Sequence, residues 1–267
     1  MGYNTESDIR ERVMEHYEEL LNLVPKERVV GIFLQGSQNY KLSTDSSDID
    51  TKAVVAPSIK EIASNKKPMS TTHIMDNGEH LEIKDIRLLF NCFKNQGLNY
   101  IEILFTKYFV LNDDFKDIWS TLVDCREQIA HLSWVKSIKA MQGTARNKYN
   151  SMFRMTSEDD SHIGYNKKNL YQMFRMREMV DRYLRSEPYE KILVPINPKY
   201  FLDVKNGKYS RMEAGVISDI LMEDTDSNCD DFCSRFSHVD INSEAVELLD
   251  KVQYDIVYRS LKMQIGE

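Results

Sequence analysis

The stretch GSQNYKLSTDSSDIDTK, residues 36–52, lies between two apolar runs, RVVGIFL at 28–34 and AVV at 53–55. Each run is rich in β-branched and aromatic residues, so the pattern predicts two strands joined by this polar segment. The first strand ends at Gln35-Gly36-Ser37, a strand-to-loop junction. The second is predicted to span Asp48–Val55. Residues two apart in a strand project to one face. Asp48 and Asp50 are therefore expected side by side, with Ile49 turned into the core. Asp45, in the surrounding TDSS, reads as a turn residue.

Paired carboxylates either raise each other's pKa or bind a cation. Mg²⁺ suits them, because it prefers oxygen ligands and is often held by one or two carboxylates together with substrate phosphates. Gly36 lets the backbone approach an anion closely, and Ser37 adds a hydroxyl donor. A phosphate grip beside a divalent-ion site is the apparatus of phosphoryl or nucleotidyl transfer. A second ion calls for a third carboxylate. A strand predicted over His80–Lys84 offers Glu82 on the face of His80 and Lys84, with Asp85 just beyond on the opposite face.

The rest of the chain supplies the setting. With 267 residues, 42% of them apolar and 29% charged, it suffices for one large domain or two ordinary ones. The net charge of −7 argues against coating of nucleic acid, although a local basic cleft is compatible with it. No apolar run approaches a membrane span, and the polar start MGYNTESDIRERV lacks a signal-peptide core, so a cytoplasmic protein is expected. Cys92, Cys125, Cys229 and Cys233 lack zinc-like spacing and read as reduced thiols.

Thr5 to Asp8 forms a capping box ahead of a helix through Ile9, Val13, Tyr17, Leu20, Leu21 and Val24, which Pro25 stops. The run DIRLLFNCFKNQ predicts an amphipathic helix after the His80 strand, and Lys107–Leu111 a further short strand. After residue 112 helical periodicity takes over: 113–123, 129–150, 166–184, 211–222 and 243–264. KILVPI, 191–196, carries the one later strand signal, and 155–164 reads as an exposed loop. The expected architecture is an α/β (α+β) domain with a mixed sheet over 1–112, followed by a mainly helical domain over 113–267.

These residues resemble the nucleotidyltransferase superfamily of DNA polymerase β. GSQNY…SSDIDTKAVVAPS, GEHLEIKDIRLLF and NYIEILF are similar to a bacterial and phage branch of predicted nucleotidyltransferases, with the likeness strongest over 28–106. The resemblance implies Gly36 and Ser37 on a triphosphate, Asp48 and Asp50 as ligands of two Mg²⁺ ions (Mn²⁺ as a substitute), and a third acid at Glu82, with Asp85 and Glu79 as alternatives. GYNKKNLYQMFRM, 164–176, is similar to a helix that bears a lysine, a polar residue four on and an arginine seven on. Lys168, Gln172 and Arg175 fit that spacing and fall on one helical face. They would contact the nucleotide, the helical domain closing the nucleotide cleft. Arg146, Lys148, Tyr149, Phe153 and Tyr165 are weaker candidates for acceptor or base contacts.

The expected activity is transfer of a nucleoside monophosphate from a nucleoside triphosphate to an acceptor hydroxyl, on RNA (a tRNA end, for example), a protein or a small molecule, with release of pyrophosphate. The alternative is a non-catalytic nucleotide-binding or regulatory module, antitoxin-like in role.

Overall fold

A computed structural model describes residues 5–44, 47–238 and 241–266; Asp45 lies outside them. Helix α1 (Glu6–Leu23) starts at the expected box: Asp8 N–H donates to Thr5 Oγ1 at 3.2 Å, and Thr5 N–H to Asp8 Oδ2 at 2.8 Å. Its buried face is Ile9, Val13, His16 and Leu20. Strands β1 (Val29–Gln35) and β2 (Asp50–Val55) follow. Next come α2 (Ile59–Ala63), β3 (Ser70–Ile74) and β4 (His80–Asp85). Then α3 (Ile86–Lys94), α4 (Leu98–Ile101), β5 (Phe109–Leu111), α5 (Lys116–Asp124) and α6 (Arg126–Ala130) complete the run.

The strands form one sheet of order β3-β4-β2-β1-β5, with β2 and β4 parallel and the other neighbours antiparallel. This is the expected mixed sheet, and every strand of the described residues lies before residue 112. β3 was not anticipated. Its sequence, STTHI, is an exposed edge with no apolar alternation. On one face of the sheet, Ile32, Leu34, Ala53, Val55, Leu81 and Ile83 pack with Ile9, Val13 and Leu20 of α1. On the other, Phe33 stacks on Trp119 of α5 with ring centroids 4.6 Å apart.

Helices α7 (Trp134–Asn150), α8 (Glu158–Ile163), α9 (Lys167–Leu184), α10 (Tyr189–Leu193), α11 (Pro198–Lys205) and α12 (Arg211–Phe236) follow, and α13 (Ser243–Ile265) ends the described chain. The KILVPI strand signal thus falls on the end of α10 and the loop after it. The expected loop at 155–164 contains α8, capped by Ser157, whose Oγ accepts from Asp160 N–H. No helix of the described residues is long and apolar enough to cross a membrane. The four cysteines are free thiols.

The chain forms two compact units. The first takes the described residues up to Asn39, Ser43–Leu132 and those from Asn242 on; the second takes Tyr40–Leu42 and Ser133–Ile241. The sheet unit therefore extends past residue 112 to Leu132 and regains the last helix. Within it, Arg259 of α13 donates two hydrogen bonds to the Asp117 carboxylate of α5, at 2.5 and 2.9 Å, and Ser260 Oγ donates to Glu27 O at 2.7 Å. In the second unit α7, α9 and α12 pack pairwise, and Arg177 of α9 bridges Asp181 and Asp224.

Gly31 sits where β1 meets β5. A Cβ there would stand 2.7 Å from Leu111 Cδ2 and 2.9 Å from the Val110 carbonyl oxygen, and the latter cannot move without parting the strands. Gly31→Ala is expected to cost about 1–3 kcal/mol. A urea titration should show a lower midpoint with an unchanged m value.

Candidate functional site

The site begins where β1 ends. Gln35 pairs with Asp50 across the antiparallel β1–β2 ladder, so the turn leaving β1 and the acids entering β2 lie at the same end of the sheet. Gly36 has φ +100°, a left-handed conformation that explains the glycine. A short 3-10 turn, Ser37–Tyr40, follows. Asn39 fixes it: its Nδ2 donates to Leu34 O at 3.0 Å, and its Oδ1 accepts from Thr106 Oγ1 at 2.7 Å. The Ser37 hydroxyl makes no hydrogen bond among the described residues.

The acid pair is assembled differently from the expectation. The strand starts at Asp50, so Asp48 lies in the preceding loop and strand alternation does not place it. Buried Ile49, 1% exposed, sends the two flanking carboxylates away from the core. Asp48 is exposed, and its side chain has no hydrogen-bond or ionic partner among the described residues. Its carbonyl accepts from Gln38 Nε2 at 2.6 Å. That bond fixes the amide orientation and leaves Gln38 Oε1, a buried oxygen beside Gly36, without a hydrogen-bond partner. Asp50 Oδ1 lies 3.2 Å from His80 Nδ1 and 3.3 Å from His80 N.

The three candidates for a third acid have other partners. Glu82 stands opposite Lys52, one same-face position along the sheet from the Asp50–His80 level. It is ion-paired to Lys52 and, at 3.0 Å, to Lys84, whose Nζ also donates to Tyr100 OH at 2.9 Å. Lys52, 1% exposed, lies 4.1 Å from the Tyr100 ring centroid. Burial tends to raise the Glu82 pKa, but the bonds to Lys52 and Lys84 outweigh it and hold the carboxyl below its ordinary range. Burial lowers Lys52 despite the pair, because desolvation of the ammonium exceeds what Glu82 returns. Asp85 pairs with Val55 at the far end of β2 and caps α3, accepting from Arg87 N–H at 2.8 Å. Glu79 accepts from Ile49 N–H at 2.9 Å and is buried. Among the described residues, no group of three His, Cys, Asp or Glu side chains is gathered as a metal would need, so Asp48 and Asp50 are not joined by Glu82 in such a cluster.

Sequence reasoning passed over Glu102, 5% exposed, whose Oε1 accepts a long 3.4 Å bond from Gly36 N–H. Its signal is the single acid inside the apolar run IEILF. His80 and Gln38 were likewise not singled out for the site.

Lys168, Gln172 and Arg175 belong to the second unit, on α9. Lys168 is exposed, Gln172 half-buried and Arg175 buried. Gln172 Nε2 donates to Tyr171 OH at 2.7 Å. The Arg175 guanidinium lies 3.5 Å from the Tyr40 ring centroid, and its buried Nε has no hydrogen-bond partner. Burial and then the charge of Lys168 lower the pKa of Lys148. Tyr165 is fully buried, and the Tyr149 hydroxyl donates to Asp219 Oδ1 at 2.8 Å. Arg146 is paired with Asp226 at 2.6 Å, and Phe153 is exposed.

No family model matches the sequence, and no curated protein matches it. Among solved structures, the chain is similar to a nucleotidyltransferase-like protein from Exiguobacterium sibiricum 255-15. The identity is 8%, the TM-score 0.32, and the match covers 96% of this chain and 78% of that one.

Removing one partner of a buried ion pair leaves the other uncompensated. Glu82→Gln is expected to destabilise the chain by about 3 kcal/mol at neutral pH, and Lys52→Met added to it should recover most of the loss. Glu82 titrates below its ordinary 4.5 in the folded chain, so its contribution is complete above that pH and is lost as the pH falls through the folded value. Denaturation at pH 7 and at stepwise lower pH should show the gap between the native chain and Glu82→Gln closing on the acid side.

Proposed function

We propose that the chain is a divalent-cation-dependent nucleotidyltransferase that moves a nucleoside monophosphate from a nucleoside triphosphate to an acceptor hydroxyl and releases pyrophosphate. The observation that carries the reading is the Gln35–Asp50 pairing, which sets the glycine turn and the acid pair at one end of the sheet.

The donor set suits a hard cation. Asp48 offers a carboxylate without a partner among the described residues, Asp50 keeps Oδ2 clear of its His80 contacts, and Gln38 Oε1 is an unpaired acceptor against Gly36. Asp48 and Asp50 would hold Mg²⁺ or Mn²⁺. When bound, such an ion supplies charge neutralisation on phosphate oxygens and a lowered pKa for an attacking hydroxyl.

The chain's own groups do the rest. Gly36 permits close approach of the backbone, and the Ser37 hydroxyl is available as a phosphate donor. Glu102 must yield the Gly36 N–H, and the length of that bond makes the exchange inexpensive. Lys52 and Lys84 place two positive charges on the Asp50 face of the sheet, with Glu82 between them. In this reading Glu82 acts as their charge partner. Arg175, stacked on Tyr40 and buried, is assigned to packing.

One observation favours the non-catalytic alternative: Glu82 is bound to two lysines, so a two-ion centre lacks its third carboxylate among the described residues. A nucleotide sensor would need no more than the turn and the acid pair.

Incubation with each labelled nucleoside triphosphate and Mg²⁺ or Mn²⁺ separates these readings. Pyrophosphate release with label transfer is expected. Asp48→Asn and Asp50→Asn should each lower the rate at least about 100-fold, since metal stabilisation is worth several kcal/mol. Nucleotide binding without pyrophosphate release would favour the sensor, and activity unchanged by both substitutions would remove the metal assignment.

A further inference from the structure

Glu79 lies at the foot of β4, 6% exposed, and both of its carboxylate oxygens are occupied. Oε1 accepts from the N–H of Ile49, the residue between the two acids, at 2.9 Å. Oε2 lies 3.0 Å from His16 Nε2, 2.5 Å from Arg12 Nη2 and 3.4 Å from Asn77 Nδ2. His16 is fully buried on α1, and its Nδ1 lies 2.8 Å from Thr51 Oγ1. Glu79 can only accept, so Nε2 carries the hydrogen, and in the neutral ring Nδ1 accepts from the Thr51 hydroxyl. The turn before β4 presets the carboxylate: Asn77 Oδ1 accepts from Glu79 N–H at 2.9 Å, and Gly78 takes φ +86°.

From this geometry we infer that Glu79 is a positioning residue, holding the Asp48–Ile49–Asp50 backbone in place, and is not a metal ligand. The inference rests on the reading that Asp48 and Asp50 bind a divalent cation. The network grips the segment on both sides of Asp50, at the Ile49 amide through Glu79 and at the Thr51 hydroxyl through His16. Asp48 lies outside the strand ladder, and the peptide that joins it to Ile49 is held at both ends, its carbonyl by Gln38 Nε2 and its N–H by Glu79. Oε2 meets an imidazole, a guanidinium and the Asn77 amide, and Oε1 accepts from Ile49 N–H, so this 6% exposed carboxylate is spent on holding the chain. Outer partners of this kind typically change metal affinity 10–100-fold when removed.

Two near-isosteric changes separate positioning from ligation in the full chain. Glu79→Gln keeps an acceptor at the right reach for Ile49 N–H and loses the charge, with His16 taking the tautomer that accepts at Nε2 and donates from Nδ1 to Thr51 Oγ1. Glu79→Asp keeps the charge and falls short of the amide. Two readouts apply: hydrogen exchange at the Ile49 amide without metal, and Mn²⁺ binding followed by water-proton relaxation. If Glu79 positions, Glu79→Asp speeds Ile49 exchange at least about tenfold and weakens Mn²⁺ binding about tenfold, while Glu79→Gln stays near the native values in both. The reverse order in Mn²⁺ affinity, or Ile49 exchange unchanged in Glu79→Asp, overturns the assignment. A native chain that binds no Mn²⁺, or an Asp50→Asn variant that binds it equally well, defeats the metal reading instead, and the exchange arm still decides whether Glu79 holds the segment.

Discussion

The register between β1 and β2 is the constraint on which the rest of the molecule depends. Gln35 faces Asp50, Phe33 faces Lys52 and Ile32 faces Ala53. Side-chain direction alternates with a period of two, so a slip of one residue would turn Lys52 into the α1 core and Ala53 and Val55 away from it. Leu34, Ile32, Ala53 and Val55 are all fully buried against α1, which makes the slipped state costly. Gly31 adds a second lock, because β5 approaches too closely for any side chain there. Hydrophobic burial on one face thereby sets the place of a turn and two carboxylates at the end of the sheet.

The opposite face carries charge beside its buried apolar residues Phe33 and Val54. Asp50, Lys52 and their neighbours His80, Glu82 and Lys84 form two charged rows on adjacent parallel strands. Lys52 is desolvated beneath Tyr100 and is tolerated because Glu82 and the aromatic ring both face its ammonium. Counting Asp48, these rows hold three carboxylates against two lysines. The balance stays negative toward the acid pair, which favours a cation there, while the lysines deeper along the sheet offset part of that charge.

Local signals made much of the fold legible. The capping box and apolar spacing of α1, the stripe Ile86, Leu89, Phe90, Phe93 of α3, and the periodicity of α9 and α13 each act within one element, and the structure forms all four. β3 was invisible because an exposed edge strand needs no apolar alternation. The second half of α12, TDSNCDDFCSRF, was missed because polar residues dominate it and its buried residues, Thr225 and Cys229, are sparse. KILVPI misled because its aliphatic residues pack from a short helix, Ile192 and Leu193 being buried at its end.

The candidate site was legible only in part, and the third acid shows why. Glu79, Glu82 and Asp85 lie within seven residues and are all acids near a strand, so the sequence does not rank them. What separates them is remote. Glu82 meets Lys52 thirty residues back, Glu79 meets His16 sixty-three residues back, and Asp85 meets the helix that follows it directly. Only the Asp85 cap has a local signature, an aspartate opening an amphipathic run. The other two roles depend on which strand lies beside β4 and which helix lies beneath it. A short motif can name a carboxylate pair because its members share one backbone; the support for that pair comes from residues that share only the fold.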